Sequence, residues 1–389
     1  MAATVSTSTQ AGAITIAFQR KVFYAEGLFW AFFSNGVNAG WEFSSDGTTW
    51  TGAFTSIGAC AGGDRFSVWV DDTYIHYARL NPRDLFYRRG ILVNDGTITW
   101  SAVEQTVDVG IATDHYDFPC ITVDTNGYAW IGVMHDQPDD DDLPVVLKNA
   151  NTDGTWSLDF AYELSAIDDL TWRVAPIALT AGKVYVVYCY ASAAPLGKLY
   201  NAGWGAEENT LADHNIERGD AFSAVAIEDN VHFIYNRDTT NQIRHNERVW
   251  GVGWNVADVL VQDAVTATTT ATLSADPSEG DLYCFWALST TDHVYYKQYT
   301  GGAWDGAATD WVDETADDIQ YDSQVSSFYS DYGSYVGLLY VTKTGSPYNV
   351  RFAFLTLPSG WTGTIAGVTD PASIMGVAKA NIASVKGVA

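Results

Sequence analysis

The sequence predicts an all-β protein, a seven-bladed β-propeller built from four-stranded antiparallel blades. Three observations support this prediction: a tryptophan that recurs at nearly constant spacing, a repeated succession of short strands, and no helical periodicity. The tryptophans that follow a turn sequence are Trp50, Trp100, Trp156, Trp204, Trp254, Trp304 and Trp361. Neighbours in this series lie 48 to 57 residues apart, and each lies near a glycine, the residue that supplies positive φ in tight hairpin turns.

Each interval between these tryptophans contains the same succession of four strands. In the second interval, short apolar and aromatic runs separated by polar turns occupy residues 66–70, 73–80, 84–89 and 97–107. The fifth interval repeats the pattern at residues 222–227, 230–236, 243–249 and 254–261. Four strands in a unit of this length are typical of a propeller blade, in which repetition around an axis protects the sheet edges. We therefore expect a flexible N-terminal segment at 1–12, the propeller at 13–368 and an apolar C-terminal tail at 369–389.

Two segments are candidates for the outer strand of the seventh blade. One is residues 361–368, which follow the last tryptophan, and the other is residues 14–18 at the opposite end of the chain. The N-terminal segment is favoured, because a sheet that joins the two ends of the chain would lock the ring.

Composition limits the kinds of partner that the chain can have. The formal net charge is −27, which argues against nucleic acid or an anionic membrane as a partner. The chain has no uncharged apolar stretch of 18 residues, so we expect no membrane insertion. Its start has neither a basic region nor an apolar core, so no secretion signal is expected. Acidic, lysine-poor proteins suit salt-rich surroundings, which suggests a halophilic or marine source.

Cysteine, histidine and acidic residues do not form the patterns of metal sites. The four cysteines lie 60 or more residues apart without a CxxC pair and are interpreted as isolated thiols. The seven histidines are scattered, and zinc-site spacing is absent. Asp136 and the run Asp139 to Asp142 form the densest acidic stretch, but an EF-hand pattern is missing. We expect a solvated acidic loop there, no metal and no cofactor.

The turns before three of the tryptophans share a motif. The segment Ser44-Ser45-Asp46-Gly47-Thr48-Thr49-Trp50 resembles the Asp-box (BNR) repeat of sialidase-like propellers, and residues 94–100 and 152–156 look like further copies. The resemblance implies that the aspartate caps the turn between the third and fourth strands, and that the tryptophan packs between blades. The residues that carry the resemblance are Ser44, Asp46, Gly47, Trp50, Asp95, Gly96, Trp100, Asp153, Gly154 and Trp156.

The resemblance concerns the fold more than the chemistry. Sialidases of this family rely on three arginines, an Arg-Ile-Pro motif and a Tyr–Glu pair. This chain has Phe18-Gln19-Arg20-Lys21-Val22 where that motif would be sought, and Arg-Ile-Pro occurs nowhere in it. Sialidase activity is therefore not predicted.

Propeller topology indicates which loops can meet a ligand. Turns between the second and third strands share one face with the links between blades, and the Asp-box turns lie on the opposite face. We expect a ligand on the first face, at one mouth of the central channel, where arginines and aromatic rings suit a sugar or an anionic polysaccharide. An inter-blade salt bridge or a packed rim position is the alternative explanation for each candidate. The candidates are Arg65, Arg83, His115, Tyr116, His135, Trp172, Arg173, Arg218, Arg237 and Tyr348.

Three functions are compatible with these features. The favoured one is a non-catalytic binding module, associated with a virion or the surface of an assembly, that recognises a host glycan or a partner protein. The second is a glycan-active hydrolase or lyase, in which His115 or His135 acts as a base near an arginine. The third is a structural scaffold without a ligand. Residues 373–378 (SIMGVA) recur as 384–389 (SVKGVA), which resembles terminal segments of tail and fibre proteins of tailed viruses and implies docking to other structural proteins through the termini.

Overall fold

The fold is an all-β propeller of seven antiparallel blades, as the sequence predicts. The structure, a computed structural model, describes residues 2–357 except 72, 139, 140, 210, 212, 256 and 333, together with four two-residue strands beyond them. Within this part, two single 3-10 turns (Gly63–Arg65 and Thr180–Gly182) interrupt the strands, and no helix is long and apolar enough to cross a membrane.

The strands of each blade follow one another in chain order from the axis outward. The first strand of the chain, β1 (Ala3–Ser8), belongs to the last blade. Blade 1 consists of β2 (Val22–Ala25), β3 (Leu28–Ser34), β4 (Asn38–Ser44) and β5 (Thr55–Ala59). Blade 2 consists of β6 (Phe66–Val70), β7 (Ile75–Asn81), β8 (Asp84–Leu92) and an outer strand split into β9 (Ile98–Trp100) and β10 (Gln105–Asp108).

The next two blades have undivided outer strands. Blade 3 consists of β11 (His115–Val123), β12 (Ala129–Asp136), β13 (Asp142–Asn149) and β14 (Leu158–Glu163). Blade 4 consists of β15 (Arg173–Ala178), β16 (Val184–Cys189), β17 (Leu196–Tyr200) and β18 (Trp204–Glu208).

Blades 5 and 6 again divide the outer strand. Blade 5 consists of β19 (Phe222–Ile227), β20 (Asn230–Arg237), β21 (Gln242–Val249), β22 (Gly253–Trp254) and β23 (Val259–Gln262). Blade 6 consists of β24 (Thr272–Asp276), β25 (Asp281–Leu288), β26 (His293–Thr300), β27 (Ala303–Trp304) and β28 (Thr309–Asp313). Blade 7 contains β29 (Val325–Ser327), β30 (Tyr335–Thr342) and β31 (Tyr348–Thr356). Two small hairpins follow it, formed by β32 (Thr364–Ile365) with β33 (Val368–Thr369) and β34 (Ser373–Ile374) with β35 (Val377–Ala378).

The N-terminus closes the ring. Strand β1 pairs antiparallel with β31, from Ala3 opposite Phe352 to Ser8 opposite Tyr348, and so forms the outer strand of blade 7. The closing strand lies at Ala3–Ser8 rather than at 14–18 or 361–368, so the expectation of a flexible segment at 1–12 does not hold for residues 3–8. Val5, which is 4% exposed, anchors this strand in the core between blades 7 and 1. Trp361 and most of the predicted tail lie outside the described residues.

The recurring tryptophans pack each blade against the one before it. Among the six that the structure describes, the distance between the indole and an aromatic ring of the preceding blade ranges from 5.2 to 6.4 Å between centroids. The spacing that predicted the fold is therefore the spacing of the contacts that hold the blades together. These contacts are Trp50–Phe352, Trp100–Trp41, Trp156–Tyr87, Trp204–Trp130, Trp254–Tyr185 and Trp304–His245.

The three motif turns are closed by their aspartates. Oδ1 of Asp46 accepts the backbone N–H groups of Thr48 (2.8 Å) and Thr49 (2.7 Å), which lowers the pKa of this carboxyl. Asp95 and Asp153 each accept one backbone N–H and one hydroxyl from the threonine two residues later. Gly47 has φ of +72° in the first of these turns, a conformation that favours glycine.

Candidate functional site

The axis of the ring is filled by the link between β1 and β2. Residues 13–21 are buried almost throughout, and the Phe18 ring stacks on Phe222 of blade 5 with centroids 4.4 Å apart. The Gln19 amide donates to the carbonyl oxygens of Asp64 (2.9 Å) and Pro119 (2.8 Å). The channel is therefore occupied by the protein's own chain at this level.

Arg20 is tied to three blades from the centre of the ring. Its guanidinium donates to Leu273 O (2.8 Å), Ala224 O (3.0 Å) and a set of hydroxyls, and none of these acceptors is a carboxylate. Burial lowers the pKa of Arg20 to about 10. The hydroxyl acceptors are those of Ser223, Thr272 and Ser327.

We call the face that carries the inter-blade links and the turns between second and third strands the link face. Half of the ten predicted ligand residues gather there, at the border of blades 2 and 3: Arg65, Arg83, His115, Tyr116 and His135. His115 and Tyr116 begin β11, and they lie opposite Asp136 and His135 on β12. We define residues 114–117 together with His135 and Asp136 as the blade-3 rim.

Each histidine of the blade-3 rim is paired with a carboxylate through Nε2. His135 Nε2 lies 3.0 Å from Asp114 Oδ1, and His115 Nε2 lies 3.1 Å from Asp117 Oδ2. The Gln137 amide nitrogen lies 3.4 Å from His135 Nδ1. His115 Nδ1 is buried without a hydrogen bond, and the Asp136 carboxylate lies 3.8 Å from it.

Tyr116 adds an aromatic surface to the blade-3 rim. Its ring lies 4.5 Å from the His135 ring and is half-buried. Burial raises the pKa of Tyr116 to about 12, and the carboxylates of Asp108 and Asp114 act in the same direction. The phenol is therefore neutral and available as a hydrogen-bond donor and stacking surface.

Two arginines flank the blade-3 rim on the side of blade 2. Arg65 donates to the carbonyl of Pro82 (2.6 Å), next to the exposed Arg83. A side-chain carbon at Gly110 would lie 2.8 Å from Cβ of His115 and 2.9 Å from Cβ of Arg83. The link from blade 2 to blade 3 therefore passes between Arg83 and His115 only because its residue 110 is glycine.

Carboxylates outnumber these cations. Burial raises the pKa of Asp108, Asp117 and Asp142, and neighbouring carboxylates add to the effect at Asp108 and Asp142. A further negative charge, such as that of an anionic ligand, is therefore disfavoured at this rim. Among the described residues, no group of three or more His, Cys, Asp or Glu side chains is arranged to hold a metal ion.

The other five candidates have different surroundings. Arg173 lies over the Phe118 ring, 3.4 Å from its centroid, and burial lowers the pKa of this guanidinium. Trp172 is fully buried against Tyr188 and Tyr190, so it is a core residue and not a platform for a sugar.

Arg218 joins the links that precede blades 5 and 6 by hydrogen bonds to neutral groups, and its one salt bridge stays within its own link rather than crossing between blades. It binds Asp220 (3.0 Å) and donates to Thr268 O and Thr270 Oγ1. Arg237 lies 3.4 Å from Gln242 Oε1 in blade 5. Tyr348 packs at the edge of the core between blades 7 and 1.

Two of the concave surfaces that sequence reasoning missed lie away from the link face. One is a cavity of about 510 Å³ on the opposite face, lined by aromatic residues that include Tyr329 and Tyr332. There, burial and the nearby Asp276 raise the pKa of Asp331 to about 6. The other is a cleft of about 550 Å³ between blades 5 and 6. No local motif marks either surface, because each is assembled from strands of different blades.

Comparisons with known proteins support the fold. No family model matches the chain, and no curated protein matches its sequence. It is similar in structure to a PL25 ulvan lyase bound to -[GlcA(1-4)Rha3S]-, with a TM-score of 0.56 and 10% identity over 91% of this chain and 95% of that one. The polysaccharide lyase Uly1 gives a TM-score of 0.53 and 11% identity over 88% and 90% of the two chains.

A lectin is also among the similar structures. The Aleuria aurantia lectin in complex with α-methyl-L-fucoside gives a TM-score of 0.48 and 13% identity over 78% of this chain and 96% of that one. At 10 and 11% identity, the two lyase structures establish a shared fold and nothing finer. The resemblance to Asp-box propellers therefore remains a resemblance of turn sequences.

Proposed function

We propose that the protein binds a glycan at the blade-3 rim. The observation that carries the proposal is the pair of carboxylate-bonded histidines, His115 and His135, placed beside Tyr116 where inter-blade links meet. Tyr116 and the flanking arginines offer donors to sugar hydroxyls, and the rings of Tyr116 and His135 offer flat faces that suit ring C–H groups. The excess of carboxylates favours a hydroxyl-rich, uncharged sugar over a polyanion. Propellers of similar fold that are named as polysaccharide lyases support a glycan as the ligand, although the one bound to -[GlcA(1-4)Rha3S]- holds an anionic polysaccharide rather than an uncharged sugar.

The test is a glycan array followed by calorimetric titration of each glycan that binds. His135→Ala removes the imidazole that packs against Tyr116 at a tilted angle of 47°, and should weaken binding by roughly tenfold or more. His293→Ala is the matched control, because His293 also lies at the link-face end of its blade and is bonded to an aspartate, Asp310, at 2.7 Å. Undiminished binding by a His135→Ala/Tyr116→Ala double variant would refute the proposal.

A glycan-active enzyme is the second candidate, and the His–Asp pairs favour it. In an elimination, His115 or His135 would take the proton next to a uronate carboxylate, and an arginine would neutralise the carboxylate. The C–H electron pair would form a carbon–carbon double bond as the bond to the leaving oxygen breaks, and the leaving oxygen would take a proton from water. The carboxylates at the rim oppose binding of a uronate, so this function ranks second. Unsaturated sugar products, seen by ultraviolet absorbance and lost in His135→Ala, would place it first. New reducing ends without unsaturation would indicate a hydrolase.

We also propose, from sequence alone, that residues 369–389 attach the propeller to other structural proteins of a virion or another assembly. Most of this tail lies outside the described residues. Deleting it should leave the ring folded and monomeric but prevent incorporation into the assembly. Normal incorporation of the truncated chain would overturn this proposal.

A further inference from the structure

The cleft between blades 5 and 6 has an aromatic wall. It lies at the outer edge of the ring, between β21 and β23 of blade 5 and β26 and β27 of blade 6. Trp304 lies 5.3 Å from Tyr299 and 5.3 Å from His245, and His245 lies 5.2 Å from Tyr299, measured between ring centroids. Three mutually contacting rings therefore form one side of the cleft.

The polar groups of the cleft are acceptors and neutral donors. Glu247, Gln262, Asp263 and Asp305 line it, and Lys297 is the single cation among the described lining residues. Lys297 is buried, and its Nζ donates to the carbonyl oxygens of Val261 (2.7 Å) and Gly306 (3.4 Å). The lining thus has a net negative charge, and its one ammonium group is already engaged.

The histidine of the aromatic wall, His245, is kept neutral by its own burial and by the neighbouring His232. His245 Nε2 lies 3.3 Å from His232 Nδ1, so one imidazole donates and the other accepts. Burial lowers the pKa of His232 to about 4 and lowers that of His245 as well. The wall therefore offers uncharged ring faces at neutral pH.

At the neighbouring border, between blades 4 and 5, side chains fill the space that is equivalent to the cleft. Between blades 4 and 5, Trp254 Nε1 donates to the hydroxyl of Tyr185 (2.9 Å), and Arg248 lies over Tyr185, 5.0 Å from its centroid. Arg248 also binds both carboxylate oxygens of Glu208, at 2.8 Å each. An ion pair and a tyrosine therefore occupy the space in front of that indole.

The border between blades 5 and 6 has no ion pair equivalent to Arg248–Glu208 in front of its tryptophan. Trp304 pairs with Tyr299 in the same register in which Trp254 pairs with Arg248, so a tyrosine stands where the arginine would be. Trp304 Nε1 is buried without a hydrogen-bond partner in the described structure, but so are Trp50 Nε1 and Trp156 Nε1, so this N–H does not distinguish the cleft. What distinguishes it is open space beside the Trp304 and Tyr299 rings, where the neighbouring border between blades holds an ion pair, and such a space is the arrangement expected of a binding site.

We propose that this cleft is a second ligand site, which takes an uncharged saccharide of one or two residues. The apolar face of the sugar would lie on Trp304 and Tyr299, and its hydroxyls would donate to Glu247 and Asp305. A volume of about 550 Å³ lies within the range typical of small-molecule sites. The site shares no residue with the blade-3 rim and is independent of the function proposed there.

The test uses a variant that fills the cleft without disturbing the fold. A side-chain carbon at Gly306 meets no atom within 4 Å, and its φ is not positive, so Gly306→Trp should fold normally while it blocks the cleft. Gly203→Trp is the matched control, because Gly203 has the same freedom at the outer edge of blade 4. Glu247→Gln keeps the shape of the cleft and removes one charged acceptor.

The probes are methyl glycosides of glucose, galactose, mannose, fucose and N-acetylglucosamine, with glucuronate and glucosamine as charged comparators. Titration is followed by tryptophan fluorescence and saturation-transfer NMR. At least one uncharged glycoside should bind, and Gly306→Trp should weaken it by about tenfold or more, unlike Gly203→Trp and His135→Ala. Equal binding by the wild type and Gly306→Trp, binding of charged comparators alone, or no binding would overturn the proposal. Loss in His135→Ala with retention in Gly306→Trp would uphold the blade-3 rim and reject the cleft.

Discussion

Raising the pH from 7 to 9 should stabilise the protein, because a lysine is buried at the axis of the ring. Lys21 is fully buried, and its Nζ donates to Thr15 O (3.1 Å), Gln19 O (3.0 Å) and Gln19 Oε1 (3.0 Å). None of these acceptors is a carboxylate. Burial therefore lowers the pKa of Lys21 from 10.5 to about 7.

The sign and size of the effect follow from proton binding. Between pH 7 and 10.5 the unfolded chain holds a proton on this lysine that the native protein has largely lost, so the free energy of unfolding rises with pH. Where the unfolded chain holds one full proton more than the native protein, each pH unit raises the free energy of unfolding by about 1.36 kcal/mol. Because native Lys21 is about half-protonated at pH 7, the gain between pH 7 and 9 is about 2 kcal/mol.

Other groups limit the useful range to pH 9. Burial raises the pKa of Cys60 to about 11 and that of Cys120 to about 12, both from 9.0, and raises the pKa of Cys189 and Cys284 as well. Unfolded thiols are about half-deprotonated at pH 9 while the native thiols keep their protons, so each cysteine offsets the gain by about 0.4 kcal/mol between pH 7 and 9 and by more at higher pH.

The assay is urea unfolding at pH 7, 8 and 9, followed by tryptophan fluorescence. The free energy of unfolding of the wild type should rise across this range. That of Lys21→Met should lack the rise contributed by the lysine, whatever its value at pH 7. Lys343→Met replaces an exposed lysine and should keep the wild-type slope. Equal slopes for the wild type and Lys21→Met would refute the reasoning.

Two further substitutions test what holds the ring together. Glu208→Gln removes the charge that pairs with the buried Arg248 and should lower the free energy of unfolding by about 3 kcal/mol in urea titrations; an unchanged midpoint would contradict this role. Val5→Asp places an unpaired charge in the closing strand and should cost about 3 kcal/mol or more, visible as a lower melting temperature and faster proteolysis. Thr7→Asp, on the exposed side of the same strand, should have little effect, and equal losses for both variants would argue against closure by this strand.

The predicted ligand residues show how far sequence reasoning about the site could go. Topology placed Arg65, Arg83, His115, Tyr116 and His135 on one face, and the structure brings them to the border of two blades. The burial of Trp172 could not be predicted in the same way. A blade position specifies the face to which a loop belongs, but neighbouring side chains decide whether an indole there faces solvent or the core.

The sequence by itself determined the architecture and the number of blades. The evidence was local and repeated, since hairpin turns, short strands and inter-blade tryptophans recur in every unit and each leaves a mark within about 50 residues. Because seven units show the same pattern, a misassigned strand in one unit does not change the predicted architecture. The structure confirms seven blades, although one of the tryptophans, Trp361, lies outside the described residues.

Only the tertiary structure decided how the ring is closed and what fills its centre. The outer strand of blade 7 is Ala3–Ser8, and the axis holds Phe18, Arg20 and Lys21. These features depend on contacts between segments up to about 350 residues apart, such as Ala3 with Phe352, and they occur once. A pairing that is neither local nor repeated leaves no pattern in the sequence, because its stability comes from partners that only folding brings together.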